Sequence, residues 1–250
     1  MFLFSKKPST QVYPLMVLLL MRHSRFFNYH PFEMIHGLSV GASGTGKTYF
    51  NKLLIGKVIL YQPKSQVTIL DFKADDYHFC RGSPRLYEFE AVKEGLEKFY
   101  EEFLSRQQGK NLDRSYRLLV IEELGSMLGY FDKKTADSIK TQIANLIYMG
   151  RSFHTHVLLS LQRPDSTNFD SGAVRDSTNC TIALGNLSKD GKSMIFSGFQ
   201  DELTEKNKQG EGYMLVDGSK LYSVKVPKVT NMKKLEHYIR LGVTRGNKNA

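Results

Sequence analysis

Residues 41–48 read Gly-Ala-Ser-Gly-Thr-Gly-Lys-Thr and fill the pattern G-x-x-x-x-G-K-[ST]. Met34–Val40 before them reads as a buried strand, and Thr48–Val58 after them as a helix. Strand, glycine-rich turn and helix in that order leave few folds open. The turn must aim successive backbone N–H groups inward at an anion, with a helix N-terminus behind them. Gly41 and Gly46 are read as the positions where the backbone curls. Lys47 brings a cation to the β- and γ-phosphates, and Thr48 offers a hydroxyl to Mg²⁺. The segment Gly41, Ala42, Ser43, Gly44, Thr45, Gly46, Lys47, Thr48 and Tyr49 is the expected binding segment for ATP.

Strand and helix patterns alternate after residue 34, which predicts an α/β fold: a mainly parallel sheet with helices on both faces. Strands are expected at Gln66–Phe72, Leu118–Ile121, His156–Leu161 and Thr181–Leu184. Ala91–Gln107 and Thr135–Tyr148 are amphipathic helices. The first carries Val92, Leu96, Phe99, Tyr100, Phe103 and Leu104 on one face; the second carries Ala136, Ile139, Ile143, Leu146 and Ile147. Gly212–Val216 and Lys220–Val226 predict a hairpin turning at Asp217-Gly218. The division read from this pattern is an N-terminal extension at 1–33, an ATPase domain at 34–228, and a C-terminal helix with a basic tail at 229–250.

At 250 residues the chain has length for one sizeable domain. Its net charge of +10 points to an anionic partner, nucleic acid or an acidic membrane surface. Cys80 and Cys180 are the only cysteines, which suits a reducing cytoplasm and argues against a disulfide framework or a zinc site. Val12–Met21 is apolar but too short to span a membrane, where about twenty residues are needed. It reads as a strand or short helix packed on the core. Membrane association is the alternative, because Lys6, Lys7, Arg22 and Arg25 flank it.

Arg117-Leu118-Leu119-Val120-Ile121-Glu122-Glu123 is an apolar strand that delivers paired acids to the sheet's C-terminal edge. The first acid is expected to hold Mg²⁺ and the second to orient or deprotonate the attacking water. Here the first is Glu122, where most such ATPases carry Asp, and its extra methylene displaces the carboxylate by roughly an ångström. Gln162, at the end of another strand, fits a sensor that hydrogen-bonds both the water and a γ-phosphate oxygen. His154 and His156, two apart on one strand face with no acid or third histidine nearby in sequence, are read as packed or surface residues rather than metal ligands.

Gly150-Arg151-Ser152-Phe153-His154-Thr155-His156-Val157-Leu158-Leu159-Ser160-Leu161-Gln162-Arg163-Pro164 resembles the G-R-x-x-G-I-H-h-h-h-x-T-Q-R-P segment of the FtsK/HerA superfamily of ring-forming DNA pumps. Ile69-Leu70-Asp71-Phe72-Lys73 resembles that family's strand ending D-P-K, with Phe72 in place of Pro. Gly210-Glu211-Gly212-Tyr213-Met214-Leu215 is similar to its G-x-G-D-M-L segment, and Arg106 ends the helix before the acidic strand as in relatives. The resemblance runs from residue 34 to about residue 228. It implies a RecA-like P-loop NTPase and a homo-oligomeric, hexameric ring that hydrolyses ATP to move double-stranded DNA. The chain looks most like the motor core of a conjugative coupling protein.

A ring also implies an arginine supplied by the neighbouring subunit. Arg151 is the choice because it lies in the family run, with Arg163 and Arg175 as alternatives. The relatives' arginine on the following strand is replaced here by Thr181-Ile182-Ala183-Leu184. The expected catalytic set is therefore Lys47, Glu123, Gln162 and Arg151, with Thr48 and Glu122 at the metal. Lys189 and Lys192, in a loop at Ser188–Ser197, and Lys206 and Lys208 are the candidate phosphate contacts for DNA. The chain reads as a shortened motor in the cytoplasm recruited by a separate membrane protein, or as a remnant of a longer gene, with a membrane protein or a relaxase as the expected partner. The rival readings are a DNA-packaging ATPase of the same superfamily, a nucleotide-gated DNA-binding module that hydrolyses weakly, and a membrane-surface ATPase using Val12–Met21.

Overall fold

Strands without a polar face belong in the interior of a parallel sheet covered on both sides, and these strands assemble that way. The computed structural model describes residues 18–22, 25–29, 34–164 and 177–246. In it β3 (His36–Val40), β4 (Gln66–Asp71), β5 (Leu86–Glu88), β6 (Arg117–Glu122), β7 (Thr155–Leu161), β8 (Cys180–Leu184), β9 (Glu211–Val216) and β10 (Lys220–Lys225) form one sheet in the order β10-β9-β8-β3-β7-β6-β4-β5. The six strands from β8 to β5 run parallel; β9 and β10 close the other edge antiparallel. The hairpin turns through Asp217 (φ 50°), Gly218 (φ 63°) and Ser219, the first two left-handed and the third donating its N–H to the Val216 carbonyl at 3.1 Å.

Helices cover both faces. On one lie α1 (Lys47–Tyr61) and, near the C-terminus, α6 (Met232–Thr244), packed on each other, α1 against β3 and α6 against β4. On the other lie α2 (Val92–Gln107), α3 (Leu124–Tyr130), α4 (Lys133–Met149) and α5 (Lys189–Ile195). The apolar stripes behave as their spacing predicts. Val92, Leu96, Phe99 and Phe103 of α2 are buried, as are Ala136, Ile139, Ile143, Leu146 and Ile147 of α4. α6 buries Leu235, Ile239 and Val243 in the same core as α1, so this helix is a packed layer of the same α/β unit.

Two expectations change, and a third can be placed in part. Ser188–Ser197 is not a loop: Ser188 caps α5, its side chain accepting from the Gly191 N–H at 3.1 Å. His154 is not on the strand; it stands just before β7 with φ 52°, where the family pattern carries glycine. Of the apolar N-terminal segment, residues 18–21 lie in β1 (Leu18–Arg22), which pairs antiparallel with β2 (Arg25–Tyr29) beside β10. Residues 12–17 lie outside the described residues, as does Arg175. Among the described residues no helix is long and apolar enough to cross a membrane.

The edge of the sheet where strands begin is tied by Arg106. Its side chain is fully buried at the end of α2, and Nη1 donates to the carbonyls of Ser115 (3.1 Å) and Phe153 (2.9 Å). One guanidinium thus binds the entries to β6 and β7, the strands that carry the paired acids and Gln162. Asp113 lies 3.7 Å from Nη2, and burial lowers the Arg106 pKa to about 10. Replacing it by alanine strands two buried carbonyls and leaves a void. Arg106→Ala is expected to cost about 3 kcal/mol of unfolding free energy, measured by denaturant titration; a loss below about 1 kcal/mol would contradict the clamp.

Candidate functional site

The residues after β3 turn sharply because glycine permits it. Gly44 (φ 81°) and Gly46 (φ 96°) hold the left-handed conformations, the latter as the residue before α1. Gly41 is needed for a different reason from the curl expected of it. A Cβ there would come within 2.8 Å of the Leu184 carbonyl, so close approach to β8 selects it. The loop is stitched into the sheet by Gly41 N–H to Leu161 O (3.1 Å) and to the C-terminal hairpin by Gly210 N–H to Thr45 O (2.9 Å). Gly212, next in the G-x-G segment, sits so close to Ala183 that a Cβ would lie 1.9 Å from its carbonyl oxygen.

The order β3-β7-β6 sets one strand between the strand that leads into the loop and the strand that ends in the paired acids. Gln162 follows that middle strand, so loop, acids and amide share the C-terminal edge. Glu123 and Gln162 line one cleft of about 480 Å³ together with Ser126, Lys140 and Arg163. Ala42, Ser43 and Gly44 are exposed, Thr48 is half-buried, and Lys47 is buried. Tyr49 is turned away from an open loop: its hydroxyl accepts from the Val229 N–H near the start of α6.

The acids have different partners. Glu123 directly precedes α3 with φ 55°, an uncommon conformation for a residue with a side chain. Its Oε1 accepts from Lys47 Nζ and from Lys73 Nζ, each at 2.9 Å. Burial alone would raise its pKa, but these two ammonium groups hold the carboxyl below the usual range. Glu122 is anchored on its other side. Its Oε1 accepts from the Tyr77 hydroxyl (2.8 Å) and from Asn51 Nδ2 of α1 (3.0 Å), while Oε2 is buried with no protein partner. Tyr77 and Asn51 carry no sequence signal that announces this.

Oε2 is one of several such atoms. The register pairs Ser39 with Ser160 and Asp71 with Glu122, and one step beyond Ile121–Leu159 it brings Glu122 beside Ser160. Ser39, Ser160, Glu122 and Asp71 therefore form a polar row across four strands, beneath α1. Ser39 Oγ, Ser160 Oγ, Glu122 Oε2, Asp71 Oδ1 and Asn51 Oδ1 are all buried without a protein hydrogen bond. Buried polar oxygens rarely stay unpaired. A cluster of oxygens beside a phosphate loop suits a hydrated hard cation such as Mg²⁺, which keeps several waters and takes few protein ligands. Glu122 belongs to this cluster, and Asp71 and Asn51 contribute further oxygens to it.

Arg151 is not brought to this edge. It is exposed before β7, lining a separate cleft with His36, Asn179 and Asp217 where the strands begin. That is on the order of 20 Å from its own loop, the length of the strand. Lys189 and Lys208 are exposed, whereas Lys206 is engaged with Ser223 Oγ (2.9 Å) and the Tyr213 ring (4.6 Å). His156 stacks on Tyr116 at 4.0 Å, and its Nδ1 lies 2.7 Å from the Ile35 carbonyl. A third histidine not foreseen nearby, His36, has its ring 6.1 Å away. Burial pushes His36 down to about 3 and His156 to about 4, so both are neutral packing groups. No set of three His, Cys, Asp or Glu among the described residues is arranged for a metal.

Burial raises Asp71 to about 6, against the opposing bond from the Tyr77 N–H. The folded state thus binds this proton more tightly than the unfolded chain, where the carboxyl titrates at 3.8. Rising pH therefore destabilises the fold through Asp71 between about 4 and about 6, and not beyond. Asp71→Asn removes this effect. Its stability relative to the parent protein should climb over that interval and level off above it, read from unfolding midpoints across pH; a flat difference would refute the assignment.

No family model matches the chain. It is 26% identical over 234 residues to the FtsK domain-containing protein YdcQ of Bacillus subtilis (strain 168), an alignment that covers 85% of this chain and 47% of that protein. The chain thus spans about half the length of this relative. Among solved structures, the pCW3 conjugation coupling protein TcpA, a monomer with ATPγS, superposes with a TM-score of 0.71 at 15% identity, covering 89% of this chain and 69% of TcpA. The cytoplasmic domain of the Thermomonospora curvata type VII secretion ATPase EccC gives 0.63 at 18% identity over 84% of this chain and 28% of EccC. The genome packaging NTPase B204 of Sulfolobus turreted icosahedral virus 2, with AMPPCP, gives 0.55 at 16% identity over 80% of this chain and all (100%) of B204. The chain is therefore similar in sequence to an FtsK domain-containing protein, and it has the fold of P-loop ATPases such as TcpA, EccC and B204.

Proposed function

We propose that the chain binds ATP with Mg²⁺ and hydrolyses it to move double-stranded DNA, as one subunit of a homo-oligomeric ring serving conjugative transfer of a mobile element. The observation that carries the nucleotide part is the meeting of Lys47, Glu122, Glu123 and Gln162 at one sheet edge, over a row of unpaired oxygens. Lys47 is held by Glu123, so phosphate binding exchanges one anion for another at its ammonium. Glu123, released from Lys47, is the group that accepts a proton from the attacking water. Gln162 orients that water from across the cleft, and Thr48 and Glu122 would hold Mg²⁺. Mg²⁺ supplies charge neutralisation on the β- and γ-phosphate oxygens when bound.

Support for DNA as the substrate comes from the net charge of +10 and from exposed lysines such as Lys189 and Lys208. The fold shared with a conjugation coupling protein adds to it. Arg151, remote from its own loop and exposed, is assigned to a neighbour's nucleotide. Action in the cytoplasm, with a membrane protein or relaxase as recruiter, completes the reading. The fold shared with a genome packaging NTPase favours packaging as the second reading, with the same chemistry and a different partner.

Lys47→Ala should abolish binding of a nonhydrolysable ATP analogue. Glu123→Gln should keep that binding and lose about a hundredfold or more of phosphate release, the usual contribution of a general base. Normal turnover by Glu123→Gln would remove it as the base. Duplex DNA should stimulate phosphate release by the parent protein, with stimulation falling steeply as salt rises. Analogue binding without DNA-stimulated turnover would sink the motor reading.

A further inference from the structure

Two lysines share one oxygen of Glu123, and only one of them belongs to the phosphate loop. Lys47 Nζ and Lys73 Nζ both lie 2.9 Å from Oε1. The Lys47 side chain is 5% exposed and that of Glu123 6%, whereas Lys73 is 42% exposed. A phosphate that draws Lys47 away takes from Glu123 its buried counter-ion. A carboxylate left alone at that depth is costly. Lys73 is placed to remain.

Its placement is built, although its side chain is partly in solvent. Lys73 leaves the end of β4 in a turn closed by the Ala74 N–H to the Asp71 carbonyl at 3.1 Å, with Ala74 at φ 59°. The preceding Phe72 packs its ring 5.4 Å from Phe89 and 5.4 Å from Tyr130, which themselves lie 5.1 Å apart. Tyr130 is the last residue of α3, the helix that begins directly after Glu123. One aromatic cluster therefore steadies both ends of the Lys73–Glu123 pair.

We infer that Lys73 is a positioning residue that takes over Glu123 when nucleotide draws Lys47 to the phosphates, and that it acts through Glu123 and not on the phosphate. The inference rests on the nucleotide reading above. Without Lys73, Glu123 has only Lys47 and competes harder with phosphate for it. Binding then weakens. With Glu123 neutralised there is no competition, and Lys73 has nothing to hold.

Equilibrium binding of ATPγS, a readout independent of turnover, tests this on the full chain carrying Lys73→Met, Lys73→Arg, Glu123→Gln, or Lys73→Met with Glu123→Gln. Lys73→Met should weaken binding about threefold to fivefold, the range available to an ion pair with one partly exposed member. Lys73→Arg should bind like the parent protein. In the Glu123→Gln background, adding Lys73→Met should change nothing further. Equal losses in both backgrounds would make Lys73 a direct phosphate ligand and overturn the inference, as would no loss in either. A parent protein that does not bind ATPγS refutes the nucleotide reading itself, and this inference with it.

Discussion

The parallel register of β3, β7, β6 and β4 is the constraint on which the site depends. It sets Ser39, Ser160, Glu122 and Asp71 side by side at one depth, under α1. A one-residue slip of β6 would turn Glu122 to the opposite face of the sheet, among the aliphatic side chains of α2 and α4. Continuous apolar strands resist such a slip only where both faces are fully packed, and here both are. The chemistry of the edge is thus held by the core beneath it. Arg106 secures the opposite ends of β6 and β7, so each strand is fixed at its start by a guanidinium and at its finish by a polar cluster.

Glu122 in place of the commoner aspartate acquires a physical account from its neighbours. The longer side chain is held back by Tyr77 and Asn51 on one oxygen, leaving the other directed into the unpaired row. Length and anchorage are matched: shortening the arm would forfeit the two bonds that aim it. The departure from the family pattern at this position is therefore accompanied by a fully buried tyrosine and a fully buried helix asparagine.

Much of the fold is legible in the sequence because periodicity reports burial directly. The stripes of α2 and α4, the strand ending in Glu122-Glu123 and the loop at 41–48 are all local patterns. What escapes is decided by partners distant in the chain. Asn51 looks like one more polar residue in α1, and Tyr77 like one more aromatic in a connection; their bonds to Glu122 span 71 and 45 residues. His154 alternates correctly with His156 yet adopts a left-handed turn, which alternation cannot register. His36 joins His156 only through the pairing of β3 with β7. Gly41 matches the expected motif for a reason that lies in β8, a strand more than a hundred residues on.

The bond from the Gly210 amide to the Thr45 carbonyl has a consequence of its own. Gly210 O also accepts from the Val226 amide at 2.8 Å, and Val229 N–H is held by Tyr49 of α1. The phosphate loop is thereby continuous, through three backbone amides, with the outermost antiparallel edge of the sheet and the approach to the last helix. Any rearrangement of the loop is mechanically felt there. The C-terminal hairpin is in this sense a pointer attached to the loop, and the exchange rates of those amides with solvent are its dial.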